Sequence, residues 1–280
     1  MTLWGLSWSN AKILGEYYPP LTIMFWRFLF ASIVLSPFLF YPKFNYIKLK
    51  SNFLGLIGIS ILLTIYNYCY FTGTHLGLAG TGGVFVTTLI PTFTTLLSSY
   101  IFKIDYPNKV KLGVLLGIIS GIILLKIWNF NLNQLVQTGN IYFICGAILW
   151  SLLTLWTHRI TKTIHSIHFS FFVFTFSSIL ILISNTQSMD FSIFSNEIRF
   201  WLNFISVTIG AMAFGTVAFF YATQKLGAQS SSSFTYLVPV SALIFAILLL
   251  NEIPDFISWI GCAIAILSVY IINSSSNKYN

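Results

Sequence analysis

The sequence predicts an all-α membrane protein: ten transmembrane helices arranged as two inverted five-helix repeats. Three observations carry that reading: too little charge for a water-soluble surface, a series of span-length apolar runs, and one spacing pattern that occurs twice. Of 280 residues, 56% are hydrophobic and 7% charged, against about 25% charged in a soluble domain. Lipid is therefore the solvent. A span needs about 20 apolar residues, and uncharged runs at 52–74, 76–102, 127–158, 163–189, 200–224, 226–251 and 256–277 each hold one helix. Residues 20–41 add a span containing Arg27, and residues 110–128 one bracketed by Lys111 and Lys126. Residues 1–18 make a short first span that carries Lys12 and ends at Glu16. It reaches roughly 27 Å by helix rise, barely enough to cross. No basic segment precedes its apolar residues and no A-x-A site follows, so a span is expected here, not a cleaved leader.

Ten spans place both termini on one side. Loops on that side carry Lys43, Lys48, Lys50, Lys103, Lys109, Lys111, Arg159, Lys162 and Lys225, and the tail adds Lys278; loops on the other side carry only Lys126 and Arg199. Lysine and arginine accumulate on the cytoplasmic side of membrane proteins. The expected location is thus the cell inner membrane, multi-pass, with both termini cytoplasmic. The pI near 9.4 becomes a topology signal, not a nucleic-acid signal.

The pattern written twice centres on two prolines. Laying Pro91 of VTTLIPTFTTLL over Pro239 of FTYLVPVSALIF puts Thr87 on Thr235, Thr88 on Tyr236 and Leu89 on Leu237. Trp4 pairs with Trp150, His75-Leu76-Gly77 with Lys225-Leu226-Gly227, Asp105 and Pro107 with Glu252 and Pro254, and Gly113 with Gly261. The expected boundaries are 1–128 for the first repeat, 139–273 for the second and 274–280 for a cytoplasmic tail. Five is odd, so the second copy lies upside down, and equivalent loops should differ in charge. They do: KIDYPNKVK (103–111) carries three lysines and one aspartate, whereas NEIPDF (251–256) carries two acids and no base. Inverted-repeat transporters bind substrate near the midplane between the repeats and alternate by rocking one against the other.

A proline in a spanning helix frees the carbonyl four residues back, which lipid tolerates only where protein, hydroxyls or cavity water satisfy it. Thr87, Thr88, Thr235 and Tyr236 either do that around Pro91 and Pro239 or offer groups to a substrate. Lys12 is a charge inside a span: it pairs with a substrate carboxylate or phosphate, or snorkels to the outer interface beside Glu16. Arg27 is expected to pair with Glu16 or with helix carbonyls. Tyr66, Tyr70, Trp150, Tyr221 and Tyr236 have polar tips that need partners when buried; with Trp4, Ser7 and Asn10 they suggest an aromatic-walled, polar-lined cavity. Gly113, Gly117 and Gly121 stand four apart for close helix packing, with Gly261 and Ala265 as a weaker counterpart. Cys69, Cys145 and Cys262 are expected as buried thiols.

WGLSWSNAKIL followed by PPLTIMFWRFLFA, then IDYP…GVLLGIISGIILL and NEIPDFISWIGCAIAIL, resemble the drug/metabolite transporter (DMT) superfamily, specifically its EamA-type ten-helix permeases, over essentially the whole chain. The resemblance implies an inner-membrane permease of alternating access that exports amino acids or other small metabolites. Trp4-Gly5, Lys12, Arg27 and Glu252 match positions of the family pattern; Asp105 departs where glutamate is usual, and the first helix is short. The partners expected are a small-molecule substrate and the lipid bilayer, with no nucleic acid, no cofactor and no metal; monomer and homodimer stay open. No Asp or Glu falls in mid-span, so no intramembrane carboxylate relay is expected. Neither G-x-S-x-G nor H-E-x-x-H occurs. The competing function is an integral-membrane enzyme or lipid-modifying protein with an interfacial site, for which HSIH (His165, His168) with Arg159 and Lys162 is the one cluster available. A receptor or assembly subunit would have no use for the paired prolines and the lysine in a span.

Overall fold

The computed structural model describes residues 1–40, 46–126, 128 and 139–276. Lys43 and Lys278 lie outside the described residues, as do 129–138 between the two expected repeats and the side chain of Tyr236. Every described element is helical: α1 (Thr2–Gly15), α2 (Pro20–Leu35), a short α3 (Tyr46–Ser51), α4 (Phe53–Leu76), α5 (Ala79–Phe102), α6 (Asn108–Leu125), α7 (Asn140–Thr161), α8 (Ser166–Ser184), α9 (Ile198–Ile205), α10 (Val217–Leu226), α11 (Ala228–Ser233), α12 (Val238–Leu250) and α13 (Phe256–Ser276). A π-helical stretch, Ser206–Thr216, joins α9 to α10. Six of the resulting units are long and apolar enough to cross a membrane: Pro20–Phe40, Phe53–Leu76, Ala79–Phe102, Asn140–Thr161, Ser166–Ser184 and Ile198–Leu226. Val238–Leu250 and Phe256–Ile272 are apolar but shorter.

Local chemistry explains several boundaries. Pro20 occupies the first position of α2, where its missing N–H costs nothing. Lys103, Lys126 and Asn251 end α5, α6 and α12 in the left-handed region, at φ 54°, 49° and 54°. Gly227, at φ 85°, turns the chain between α10 and α11.

The two proline segments part company here. Pro91 sits inside the continuous α5. Pro239 instead lies in the first turn of α12, after α11 and a 3₁₀ turn at Phe234–Leu237. The expected unbroken span over 226–251 is therefore two helices and a turn, because a proline at a helix start loses no hydrogen bond. The carbonyl that Pro91 frees is that of Thr87, and the Thr235 hydroxyl, which also lies 2.6 Å from the Ser232 carbonyl, is 2.8 Å from it.

α6 and α13 meet along small residues, and their contacts are reciprocal. Ser120 Oγ donates to the Gly261 carbonyl at 3.0 Å, and Ser268 Oγ donates to the Gly113 carbonyl at 2.6 Å. A Cβ on Gly113 would meet Ile272 at 2.7 Å, and one on Gly261 would meet Leu124 at 2.8 Å. Each of these residues stands 148 positions from its counterpart, as Pro91 does from Pro239. Gly121, by contrast, turns toward Leu89 and Phe85 of α5.

The helix ends gather at two poles. At one, Lys126 pairs with Asp255 at 2.7 Å and Arg199 with Glu16 at 3.5 Å. At the other, the Arg159 guanidinium lies 4.5 Å from the Phe102 ring centroid, and Gln224 donates to the Thr161 carbonyl at 2.5 Å. Between the poles the surface is apolar, with Ile183, Leu248 and Tyr270 among its exposed residues. Cys69 and Cys262 are buried; Cys145 is exposed, on the outer face of α7, contrary to its expected burial.

Candidate functional site

An internal chamber of about 40 Å³ lies where α1, α2, α4, α5, α7 and the π stretch converge. Six of the expected cavity residues line it, Trp4, Ser7, Tyr66, Tyr70, Thr87 and Trp150, together with Arg27. Its wall is aromatic. The Trp4 and Trp150 rings meet edge-on with centroids 5.2 Å apart, Tyr66 lies 4.6 Å from Trp150, and Trp8 lies 4.7 Å from Tyr70. The Tyr70 hydroxyl donates to the Ser7 carbonyl at 2.5 Å, tying α4 to α1.

The π stretch supplies acceptors. A chain hydrogen-bonded i→i+5 carries main-chain carbonyls out of ordinary α-helical register, and two of them serve chamber residues. Trp4 Nε1 donates to the Ala211 carbonyl at 2.9 Å, and Arg27 Nε donates to the Val207 carbonyl at 3.4 Å. A Cβ on Gly215 would meet Trp4 Nε1 at 2.9 Å, so this helix approaches α1 only through a glycine. Asn10 Nδ2 donates to Ser206 Oγ at 2.8 Å; Asn10 thus anchors α1 outside the chamber lining.

Arg27 is the chamber's charge. It is 7% exposed, donates from Nη1 to Asn67 Oδ1 at 2.7 Å, and lies 5.7 Å from the Tyr70 ring centroid and 5.4 Å from that of Phe71. Of its two expected partners a helix carbonyl is present, that of Val207, and Glu16 is not, because Glu16 is held by Arg199 at the pole. Among the described residues no carboxylate pairs with Arg27. Its signal in the sequence was a cation in a chain without a mid-span acid, a mismatch of charge inside the bilayer.

Lys12 has a different partner from those anticipated. Its Nζ donates to Glu252 Oε1 at 2.8 Å and to the Gly77 carbonyl at 2.8 Å. Glu252 also accepts from the backbone of Ala79 at 3.2 Å and Gly80 at 3.0 Å. One carboxylate therefore caps the start of α5 and holds α1 to the loop before α13; negative charge at a helix N-terminus is favourable. This cluster borders a hollow of about 540 Å³ at the Lys126–Asp255 pole, which shares no lining residue with the chamber. At the opposite pole a hollow of about 350 Å³ is bordered by Tyr106, His158, Arg159 and Gly227. Asp105, the sequence counterpart of Glu252, caps no described helix: it meets Lys111 at 2.9 Å with its side chain 89% exposed.

The remaining expected site residues lie elsewhere. Thr88 donates to the Val84 carbonyl within its own helix. Pro91, Thr235 and Pro239 are buried in packing beside the chamber without lining it. Tyr221 is 46% exposed on α10, under Lys225 Nζ at 5.7 Å. The wider winding of the π stretch turns every later residue away from the face that a 3.6-residue period assigns it. The HSIH pair is engaged with backbone: His165 Nδ1 accepts from the Ile167 amide, and His168 Nε2 lies 3.1 Å from the Leu39 carbonyl. Burial, then the neighbouring His168 and Lys225, lowers the His165 pKa, so at neutral pH this ring is uncharged and free to accept.

Membrane-crossing apolar helices define a multi-pass membrane protein. The EamA-like transporter family matches residues 1–126 and 137–274, and the chain belongs to that family. It is 27% identical to the uncharacterized transporter YetK of Bacillus subtilis over 97% of this chain and 83% of that protein. It is 24% identical to an uncharacterized transporter of Archaeoglobus fulgidus over 99% of this chain and 96% of the other. The uncharacterized inner membrane transporter YedA of Escherichia coli is 24% identical over 96% of this chain and 87% of its own. A protein of known crystal structure superimposes over 99% of this chain and 96% of its own with a TM-score of 0.68 at 17% identity, a likeness of fold alone.

Proposed function

We propose that the protein is a secondary transporter, and not an enzyme, that exports small metabolites such as amino acids by alternating access through the central chamber. On this reading ten spans form two inverted five-helix repeats, residues 1–128 and 139–273, followed by a cytoplasmic tail at 274–280. The observation that carries it is the chamber itself, walled by helices of both halves and bounded by a separate hollow at each pole. The reciprocal bonds of Ser120 with Gly261 and of Ser268 with Gly113 support the repeat, because a two-fold relation makes each contact recur with its partners exchanged.

At about 40 Å³ the chamber has room for water but not for a whole metabolite. The conformation is then a compact one, in which Lys12 and Glu252 hold one pole together while Asp105 at the other is exposed and, among the described residues, pairs only with Lys111 next to it on the surface. Rocking would release the first and engage the second. The positive-inside bias puts the Glu252 pole outside and both termini in the cytoplasm. Polar residues proposed for cargo are Trp4, Ser7, Tyr66, Tyr70, Thr87 and Trp150.

The test is counterflow in proteoliposomes containing the purified protein, with a panel of amino acids and organic acids, with and without a pH gradient. Saturable exchange that empty liposomes lack is the expected result. Absence of exchange for every compound, with the protein correctly folded by thermal melting, would overturn the reading.

A further inference from the structure

We infer that the chamber is an anion site: its cargo is a small organic carboxylate with an apolar or aromatic body, bound by Arg27 and the Trp150 indole N–H. This deepens the transport reading and rests on it.

The chamber has donors to spare and no negative charge. Arg27 is a cation buried to within 7% of complete, with one neutral side-chain acceptor on Nη1 and a long contact from Nε to a carbonyl. A guanidinium presents five N–H donors in a planar fork that matches a carboxylate. Trp150, which lines the same space, carries at Nε1 a second buried donor that has no acceptor among the described residues. Burying such groups unmatched is costly, and intramembrane cations ordinarily find a partner. No Asp or Glu lines the chamber, so an anion from outside the chain would be the first partner of opposite charge for Arg27.

The same inventory ranks possible cargoes. A carboxylate fills the vacancy of charge and accepts from both donors at once. Its body would rest on Trp4, Tyr66 and Trp8, whose ring faces suit apolar and planar groups. An amine finds a like charge in Arg27 and no acid to receive it. A zwitterionic amino acid gains at one end and loses at the other, and so ranks between them. Because the present volume admits water only, binding draws the walls apart, as alternating access requires.

The experiment uses the full chain in lipid nanodiscs and three probes of one shape: phenylacetate, phenylalanine and phenethylamine, titrated by calorimetry. Phenylacetate is expected to bind tightest and phenethylamine not at all. Arg27→Gln should weaken phenylacetate about 10- to 100-fold, with Arg27→Lys falling between. Trp150→Phe, which keeps the ring and removes the N–H, should weaken it about 5-fold, and it keeps the test alive if the Arg27 variants fail to fold. Binding of phenethylamine in preference to phenylacetate, binding of none of the three, or unchanged phenylacetate binding in folded Arg27→Gln overturns the anion site. Flux in proteoliposomes is read separately. Arg27-dependent binding without flux sustains the site and removes the transport reading; flux of amines alone does the reverse.

Discussion

Replacing Glu252 with alanine removes four interactions' worth of order from one pole: the ion pair to Lys12 at 2.8 Å, the backbone bonds from Ala79 and Gly80, and the favourable charge at the start of α5. Losing a helix-capping side chain costs about 1 kcal/mol. Stripping one partner from a fully buried pair costs about 3–5 kcal/mol, but an exposed pair contributes at most about 1. Glu252 is 10% exposed and Lys12 28%, which sets the combined loss between those limits, at about 2–3 kcal/mol. If the cluster forms in only one of two conformations, that loss shifts their equilibrium by about 30- to 150-fold. The assay is maleimide labelling of Thr216→Cys, a chamber position, in a background lacking Cys69, Cys145 and Cys262. Reagent applied from the Glu252 pole should reach the thiol much faster in Glu252→Ala. Glu252→Gln, which keeps an oxygen for the two amides but loses the charge, should lie between. A labelling rate unchanged by either substitution, in protein with unchanged melting, would refute the latch, as would strictly additive effects of Lys12→Met and Glu252→Gln.

Three further outcomes follow from the packing. Thr235→Val leaves the Thr87 carbonyl unmatched and should cost about 1–2 kcal/mol; in a Pro91→Ala background, where an amide can again reach that carbonyl, denaturation curves should show a smaller cost. Ser120→Ala and Ser268→Ala should lower melting temperature by similar amounts, because each removes the same bond of a reciprocal pair; a large inequality would break the two-fold account. Lys126, then Ser258, holds the Asp255 carboxyl down to about 2. A depressed carboxyl contributes stability above its ordinary pKa near 4 and loses it as pH falls through about 2. Melting of the purified protein and of Lys126→Ala should therefore differ slightly at neutral pH and converge in strong acid; a difference that persists or grows there would reverse the sign.

Six of the spans and the small-residue packing were legible because each is written locally, in runs of apolar residues or in short fixed spacings. Gly113 and Gly261 show this: their match in the repeat alignment is a match of packing in the fold, down to Ile272 and Leu124. The partner of Lys12 was not legible, because Glu252 lies 240 residues away in sequence and nothing local marks the pair. Arg27 was visible as a charge in a span, expected to pair with Glu16 or with helix carbonyls; the carbonyl partner is found at Val207, and Glu16 is taken by Arg199. Its true surroundings come from α4 and from carbonyls of the π stretch, and a winding change of that kind leaves no periodic signature in SVTIGAMAFGT. The broken helix at Pro239 was hidden for another reason: one proline is compatible with a kink inside a helix, as at Pro91, or with a helix start.

A repeat that is symmetric in sequence must be asymmetric in any one conformation if it is to present its chamber to two sides in turn. Glu252 and Asp105 occupy matching places before matching prolines, yet one is buried with three donors and the other is exposed beside Lys111. The difference is not one of chemistry alone, since aspartate caps helix starts as well as glutamate does. On the proposed mechanism it is a difference of state: exchanging the two environments interconverts the two faces of the cycle. Asp105 is one methylene shorter than Glu252, so its reach across its own pole is smaller and the state it closes should be the less stable of the two. Asp105→Glu is then expected to shift the balance toward that second state, in the same direction as removing the charge of Glu252 at the other pole. Labelling of Thr216→Cys decides the point: with Asp105→Glu, access from the Glu252 pole should rise, and a fall would mean that Asp105 plays no part in closing its own side.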